Sequence, residues 1–203
     1  MDDETGRAER LHVLASAITA SPHNLVSARA KDELETRHIP ECRSFAHLLG
    51  DHGPVLDLGS GGGLPGLVIA IERPDLEVHL LEATSKKAAF LEETSQALGV
   101  SVQVHRGRAE ELARGRLLGC FEIVTARAVA PLERLVGWAA PYLAPSGRLY
   151  AIKGQRWAEE VEAARTALAR ARLEVIGDPQ HPHLSPDGTD PHRPRVVMIA
   201  RRS

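Results

Sequence analysis

The stretch VLDLGSGGGLPGL, residues 55–67, decides how the fold of this chain is interpreted. An apolar run typical of a buried strand leads directly into a glycine-rich turn, and a helical apolar pattern begins at Gly66. Where strands alternate with helices, such a turn lets a nucleotide approach the backbone and the start of the following helix. The stretch therefore predicts a nucleotide-binding loop at the end of a buried strand.

Two glycine registers fit this loop and leave the nucleotide open. Gly61, Gly63 and Gly66 satisfy G-x-G-x-x-G, whereas Gly59, Gly61 and Gly63 satisfy G-x-G-x-G. Glycines alone also fit a tight turn that binds nothing. The residues around the loop therefore have to separate the candidate ligands.

From Val55 onward, short apolar runs alternate with helical patterns along most of the chain, and these patterns predict helices from Ser85 to Leu98 and from Leu132, among others. This alternation is typical of a doubly wound parallel sheet with helices on both faces. Two helices are predicted before it, over residues 8–20 and from Lys31 to Leu49, and one after it, over Ala158–Ala171. The final apolar runs, LEVIG and VVMIA, flank a long polar loop and indicate an antiparallel hairpin at the sheet edge. We therefore expect an α/β, Rossmann-like fold with added N-terminal helices.

Length and composition bound the class of protein. With 203 residues, of which 43% are hydrophobic and 26% charged, the chain fits one globular domain with a short appendage. We divide it into a helical extension over residues 1–50 and a main domain over residues 51–203. The acidic start MDDETGRAER does not resemble a signal peptide, and no apolar run is long enough to cross a bilayer. We expect a cytoplasmic protein without a membrane partner. The net charge of −2 does not exclude nucleic acid, because a basic face can be balanced elsewhere.

Acidic residues at the predicted strand ends favour S-adenosylmethionine over a dinucleotide. Asp57 lies two residues before Gly59, where its carboxylate would repel a pyrophosphate but attract the ammonium group of a methionyl moiety. Glu82 ends the second strand, a position from which a carboxylate accepts hydrogen bonds from ribose hydroxyls. After the third strand, Ala109 and Glu110 can offer a backbone amide and a carboxylate to an adenine edge. Because parallel strand ends meet at one edge of a sheet, we expect these residues to share one site.

Other patterns in the sequence do not indicate a phosphate-binding P-loop, a metal site or a catalytic triad. A P-loop is excluded, because Leu67 and Val68 stand where Lys and Ser/Thr would hold phosphate and magnesium. A proline-interrupted loop does not favour fixed tetrahedral geometry, so we expect no metal site from its histidines and aspartates, His181, His183, Asp187, Asp190 and His192. No catalytic triad or Cys/His pair has a motif around it, and we predict no catalytic side chain. Trp157 lies close enough to a strand end to line a substrate mouth.

Several motifs together resemble one known family. They are DLGSGGGLPGL, the strand-end acid followed by SKKAAFL, GRAEEL, TARAVAPLERLVGW, GRLYAIKGQ and the upstream NLVSARAKDELETRHI. This combination resembles the GidB/RsmG family, bacterial methyltransferases that make 7-methylguanosine in small-subunit (16S) ribosomal RNA. The resemblance covers nearly the whole chain. It implies a class I S-adenosylmethionine-dependent methyltransferase whose partner is 16S ribosomal RNA or the assembling small subunit.

The resemblance also implies site residues. The full set of cofactor candidates, from the loop and the resemblance together, is Asp57, Gly59, Gly61, Gly63, Leu64, Glu82, Ala109, Glu110 and Arg127. The candidates for contact with RNA are Arg37, His38, Arg127, Lys153 and Arg193. The chain departs from the family where HIPEC replaces the usual HILDS and HRPRVVMIA replaces RHLVVI, and these changes concern the RNA-facing surface and not the cofactor site. Two other functions stay open, an NAD-dependent dehydrogenase and a non-catalytic RNA-binding factor on the same fold.

Overall fold

The computed structural model describes residues 2–50, 53–178 and 194–202. Its α-helices are α1 (Asp2–Ala20), α2 (Ala28–Asp32), α3 (Ile39–Leu48), α4 (Gly66–Glu72), α5 (Ser85–Leu98), α6 (Ala109–Leu112), α7 (Leu132–Ala139), α8 (Trp157–Ala163) and α9 (Arg165–Ala171). A π-helix spans Leu34–His38 and a 3₁₀ turn spans Ala140–Tyr142. The strands are β1 (Val55–Leu58), β2 (Val78–Glu82), β3 (Val102–Arg106), β4 (Phe121–Arg127), β5 (Leu143–Ile152), β6 (Leu173–Gly177) and β7 (Val196–Arg201).

The strands of the described residues form one seven-stranded sheet in the order β3-β2-β1-β4-β5-β7-β6. Strands β1 to β5 pair in parallel, and every residue of β1 and β2 is buried, as expected for strands covered on both faces. Strand β7 lies between β5 and β6 and is antiparallel to both. The predicted α/β fold with an antiparallel edge hairpin is therefore confirmed.

The N-terminal helices pack on one face of this sheet and share its core. Leu14 and Ile18 of α1 and Phe45 of α3 are completely buried in the same hydrophobic cluster as Ile69 of α4 and Leu80 of β2. The apolar stripe of α1 therefore packs against the sheet-covering layer. The N-terminal segment is built into the body of the protein by this shared core.

The second predicted helix, from Lys31 to Leu49, is divided into α2, the π-helix and α3. The backbone amides of His38 and Ile39 donate five residues back, to the carbonyls of Glu33 and Leu34. Pro40 follows directly and has no backbone N–H to donate. In an ordinary helix its ring would also crowd the carbonyl four residues before it. The wider turn of the π-helix accommodates this proline.

The helix predicted over Ala158–Ala171 is also divided, at Ala164. Ala164 is completely buried, and its backbone leaves the regular helical conformation there. The break lets α8 and α9 both contact α7. None of the helices in the described part of the chain combines the length and apolar character that a membrane crossing requires.

The strand order determines where a ligand site can form. Strand β1 lies between β2 and β4, so the connections leaving its two sides run in opposite directions over the sheet. In doubly wound sheets the carboxyl ends of strands at such a point border a crevice. The glycine-rich turn after β1 lies at this crevice.

Candidate functional site

A cavity of about 790 Å³ lies at the carboxyl ends of β1, β2 and β4, and we call it the larger cavity. Its volume is in the range of small-molecule sites. The predicted cofactor residues that line it are Gly59, Gly61, Leu64, Glu82, Ala109, Glu110 and Arg127. The structure thus brings together residues that lie as far apart in sequence as Gly59 and Arg127.

The glycine turn depends on backbone conformations that favour glycine. Gly59, Gly61 and Gly63 have φ angles of 75°, 54° and 87°. A Cβ atom on Gly59 would lie 2.9 Å from Cγ2 of Val129, and one on Gly63 would lie 2.5 Å from Cδ1 of Leu67. Gly59 and Gly61 line the larger cavity, whereas Gly63 lies outside its described lining and permits the close approach of Leu67.

Glu82 connects the glycine turn to the end of β2. One carboxylate oxygen accepts a hydrogen bond of 3.0 Å from the amide of Gly61, and the other accepts one of 2.7 Å from the amide of Thr84. The residue is 7% exposed and lines the larger cavity. A carboxylate has about four acceptor positions, so each oxygen can accept a further hydrogen bond from a ligand.

Asp57 lies beneath the glycine turn and is not among the described residues that line the larger cavity. It is 1% exposed. One carboxylate oxygen accepts a hydrogen bond of 3.0 Å from the hydroxyl of Thr125, and the other accepts one of 3.1 Å from the amide of Gly66. Burial raises the pKa of Asp57 to about 6. The carboxylate thus joins β1, β4 and the start of α4. Its contact with the methionyl ammonium group, directly or through water, stays a prediction.

Arg127 ends β4 and joins the sheet to the N-terminal helices. Its guanidinium donates to Sγ of Cys42 at 2.9 Å, to the carbonyl of His38 at 3.3 Å and to a carboxylate oxygen of Glu41 at 3.3 Å. It also donates to Nδ1 of His38. The Arg127 side chain is 14% exposed, so these internal contacts account for most of its hydrogen-bonding surface.

The histidine and cysteine in this network are both uncharged near neutral pH. Burial, followed by the nearby charge of Arg127, lowers the pKa of His38. A neutral His38 leaves Nδ1 free to accept from Arg127. Burial raises the pKa of Cys42 to about 11, so its thiol stays protonated.

A second cavity of about 590 Å³, the smaller cavity, shares Arg127, Ala128 and Val129 with the larger one. Lys153 lies at its wall with a side chain only 7% exposed. Its ammonium donates to the carbonyl of Ala130 at 2.8 Å and lies 2.8 Å from a carboxylate oxygen of Glu160. Residues 128–131 therefore separate the two cavities, and we call them the partition. Lys153 contacts this partition at Ala130, on the side of the smaller cavity.

The predicted RNA candidates lie around that partition. Arg37 lines the smaller cavity and forms ion pairs of 2.9 Å with Glu33 and 3.1 Å with Glu41, whereas His38 lines the larger cavity. Arg127 and Lys153 hold the internal partners described above. Arg193 lies outside the described residues, as do the histidines and aspartates of residues 181–192. Among the described residues, no group of three or more His, Cys, Asp and Glu side chains is placed to hold a metal ion.

Sequence reasoning missed much of the lining of the larger cavity. One side consists of the segment between α1 and the π-helix, including Leu25, Val26 and Ser27. Trp138 of α7 also lines it, whereas Trp157 is not part of its described lining. An available signal was the Asn24–Ser27 stretch, because Ser27 caps α2 by accepting from the amide of Ala30 and so ends a turn that faces the glycines.

Comparison with known proteins identifies the family. The family model described as GidB, rRNA small subunit methyltransferase G, matches residues 12–178. The chain belongs to the rRNA small subunit methyltransferase G family.

Relatives named ribosomal RNA small subunit methyltransferase G support this membership in the methyltransferase G family. The protein of Thermobifida fusca is 48% identical over 152 residues, which are 74% of this chain and 63% of that relative. The protein of Mycobacterium avium is 44% identical over 182 residues, which are 88% of this chain and 71% of that relative. The chain thus spans less than two thirds of the first relative's length. The family predicted from the sequence motifs is confirmed.

Solved structures show the fold of this methyltransferase G family member. M. jannaschii TYW2 in complex with AdoMet has a TM-score of 0.62 at 14% identity, covering 82% of this chain and 76% of that one. The ribosomal protein L11 methylase of Lactobacillus delbrueckii subsp. bulgaricus has a TM-score of 0.57 at 15% identity, covering 81% and 77%. Both similarities establish the class I methyltransferase fold that was expected from the sequence.

Proposed function

We propose that this protein transfers a methyl group from S-adenosylmethionine to N7 of a guanine in small-subunit ribosomal RNA. The observation that carries the proposal is the match of residues 12–178 to a family of ribosomal RNA methyltransferases. The larger cavity supports it, because it lies at the strand ends where this fold binds its ligand. We assign the helical extension to residues 1–50 and the methyltransferase domain to residues 51–203.

The residues of the larger cavity fit an adenosyl cofactor. Glu82 offers acceptor positions to ribose hydroxyls from a carboxylate whose orientation the amides of Gly61 and Thr84 fix. Ala109 and Glu110 lie in the lining beyond β3, at the side where an adenine edge would meet a backbone amide and a carboxylate. Leu64 adds apolar contact area. S-adenosylmethionine supplies the transferred methyl group.

Guanine N7 determines what the protein has to provide. This atom carries an in-plane lone pair and no proton, so a new bond from nitrogen to the methyl carbon can form without a general base. The bond from sulfur to that carbon breaks, and its electron pair stays on sulfur. The chain therefore has to orient the two reactants, and such orientation can contribute about 7–11 kcal/mol. The acids of the cavity then act by binding, not by accepting a proton.

The contacts of the RNA candidates favour positioning roles for most of them. Arg127 and His38 connect the helical extension to β4, and Lys153 holds the partition between the cavities. Arg37 is half exposed and keeps its guanidinium edge between two glutamates. We propose that these residues shape the opening through which the target nucleotide enters. Arg193 remains a candidate for direct RNA contact.

A methyl-transfer assay tests the proposal. The purified protein is incubated with labelled S-adenosylmethionine and 16S ribosomal RNA or small subunits from cells that lack the protein. We expect label in 7-methylguanosine at one site. Binding of S-adenosylmethionine without any transfer to RNA would favour the non-catalytic RNA-binding factor, and binding of NAD in place of S-adenosylmethionine would favour the dehydrogenase.

A further inference from the structure

The segment from Arg106 to Arg116 carries four exposed arginines, and its residues 107–110 line the larger cavity. Arg106 ends β3, Arg108 precedes α6, and Arg114 and Arg116 follow it. Within residues 2–50, 53–178 and 194–202, none of these guanidinium groups has an acidic partner at ion-pair distance. Exposed, unpaired arginines keep their full hydrogen-bonding capacity for an anion from outside.

Three cations that line the smaller cavity differ in this respect, whereas Arg156 and Arg195 also line it and have no acidic partner among the described residues. Arg37, Arg127 and Lys153 each lie against a glutamate, and so their charges are largely balanced within the protein. On the neighbouring helix α7, Arg134 lies over the ring of Trp138 at 5.3 Å and is partly occupied by that contact. Of the described cations that line the larger cavity, Lys87 and Arg108 have no acidic partner, and Arg108 belongs to a segment that carries three further exposed arginines.

Backbone contacts hold this segment at the cavity edge. The amide of Gly107 donates to the carbonyl of Glu82 at 3.0 Å, and Leu112 folds back so that its side chain contacts Gly107. Arg108 itself lines the larger cavity. Helix α6 has only four residues and rises about 6 Å, so Arg108 before it and Arg114 after it are separated by little more than one helical turn.

Two glutamates on the segment reduce its charge without neutralising it. Glu110 lines the larger cavity and Glu111 is exposed. Four arginines against these two acids leave an excess of two positive charges. A protein partner would also need apolar contact area. Among the described residues of this segment and the turn that follows it, the large apolar side chain that is exposed is Leu118.

We infer that Arg106, Arg108, Arg114 and Arg116 form a phosphate-binding surface that holds the backbone of the RNA substrate beside the larger cavity. The inference rests on the proposed function, because it takes RNA as the substrate. Phosphate contacts of this kind position a nucleic acid and set its register without reading its sequence. The surface would thus hold the RNA while the target guanine enters the cavity.

Salt dependence of RNA binding tests the surface directly. The variant Arg114→Gln/Arg116→Gln removes two of the arginines without touching a cavity-lining residue. The matched control is Arg10→Gln/Arg170→Gln, which removes two exposed arginines from α1 and α9. Affinity for a 16S ribosomal RNA transcript is measured by filter binding across a salt series, together with the KM for the transcript and the Kd for S-adenosylmethionine.

Each lost phosphate contact reduces the slope of log affinity against log salt by about 0.7–0.9. Between about 50 and 200 mM salt, the wild type should therefore lose about tenfold more affinity than Arg114→Gln/Arg116→Gln. The KM for RNA should rise in this variant, with the Kd for cofactor unchanged, and the control should match the wild type. If the salt slopes of RNA binding are equal for the two double variants, the arginines do not form a phosphate-binding surface. A wild-type protein that binds the transcript but transfers no methyl group would contradict the proposed function. In that case the salt slopes of RNA binding would still test whether the arginines contact phosphate.

Discussion

The ammonium nitrogen of Lys153 lies 2.8 Å from a carboxylate oxygen of Glu160, and the same oxygen accepts a hydrogen bond of 2.9 Å from the amide of Leu132. Lys153 also donates to the carbonyl of Ala130. The pair therefore fixes the α7 end of the turn between β4 and α7, a turn that begins at Ala128 with a φ of 54°. This turn is the partition between the two cavities.

Lys153→Met should destabilise the protein by about 1–3 kcal/mol, because it leaves the partly buried carboxylate of Glu160 without its cation. Methylation should fall more than cofactor affinity, since the partition borders the nucleotide entrance. Denaturant unfolding and single-turnover assays measure the two effects. In a double-mutant cycle, Glu160→Gln should lower the free energy of unfolding less in the Lys153→Met protein than in the wild type. Additive losses, or a Lys153→Met protein as stable as the exposed-site control Lys86→Met, would contradict the pairing.

Glu82→Ala should weaken binding of S-adenosylmethionine by about 1–3 kcal/mol, because it removes charge-assisted hydrogen bonds to the ribose. Glu82→Gln should weaken cofactor binding less than Glu82→Ala. The amide oxygen of the glutamine can still accept a hydrogen bond from the backbone amide of Gly61 or of Thr84. Titration calorimetry gives the affinities, and the exposed Glu92→Ala on α5 is the control. Unchanged affinity in Glu82→Ala would remove Glu82 from the cofactor site.

Asp57 predicts a pH dependence of stability. Its pKa is raised from 3.8 to about 6 in the folded protein, so the folded state binds more protons than the unfolded state in this interval. The stabilisation from the protonated carboxyl is complete below about pH 4 and is lost as the pH rises through about 6. At about 1.36 kcal/mol per pKa unit, the change is on the order of 3 kcal/mol.

Asp57→Asn provides the comparison for this effect. An asparagine can accept from the amide of Gly66 and donate to the hydroxyl of Thr125, and it does not titrate. The unfolding free energy of the wild type minus that of Asp57→Asn should therefore decrease between about pH 4 and 7. A constant difference would mean that Asp57 ionises normally. A large loss of cofactor affinity in a stable Asp57→Asn protein would support the predicted contact between Asp57 and the methionyl group.

Arg127→Lys should destabilise the contact between the helical extension and β4 by about 1–3 kcal/mol, because lysine keeps the charge but cannot reach Glu41, His38 and Cys42 with one fork. Hydrogen exchange of α3 amides should accelerate, and methylation should decrease. Cofactor affinity should stay within a factor of a few. A variant with native exchange rates in α3 would show that these contacts contribute little.

The rate of methyl transfer should be nearly independent of pH between about 7 and 9, because N7 of guanine needs no general base. His38 has a lowered pKa and the pKa of Asp57 is about 6, so neither titrates in this window. Single-turnover rates at saturating cofactor and RNA test the expectation. A tenfold rise per pH unit, with binding constant, would indicate a target atom that has to lose a proton first.

The sequence predicted those features that local patterns encode. Helix α5 has the predicted bounds of Ser85 and Leu98, because Gly99 ends it in the left-handed conformation with a φ of 64°. Helix α7 begins at the predicted Leu132, directly after a proline. The glycine turn and Glu82 were placed at one site because parallel strands bring their carboxyl ends together.

Contacts between distant segments were beyond reach of such patterns. Arg127 and His38 are 89 residues apart, and nothing in either local sequence indicates that they form a hydrogen bond. The same holds for Asp57, whose partner Thr125 lies 68 residues away and directs its carboxylate into the core. The charges of Arg37 and Lys153 were visible in the sequence, but the glutamates that balance them were identified only in three dimensions.

The contact between Leu25 and the glycine turn has a consequence for natural variation within the family. A Cβ atom on Gly62 would lie 3.3 Å from Cβ of Leu25, so the residue sizes at positions 25 and 62 are linked. An alanine at position 62 would be accepted most readily in a lineage that carries glycine at position 25, because every other residue keeps the Cβ atom that makes this contact. These two positions, far apart in the gene, should therefore change in concert during evolution.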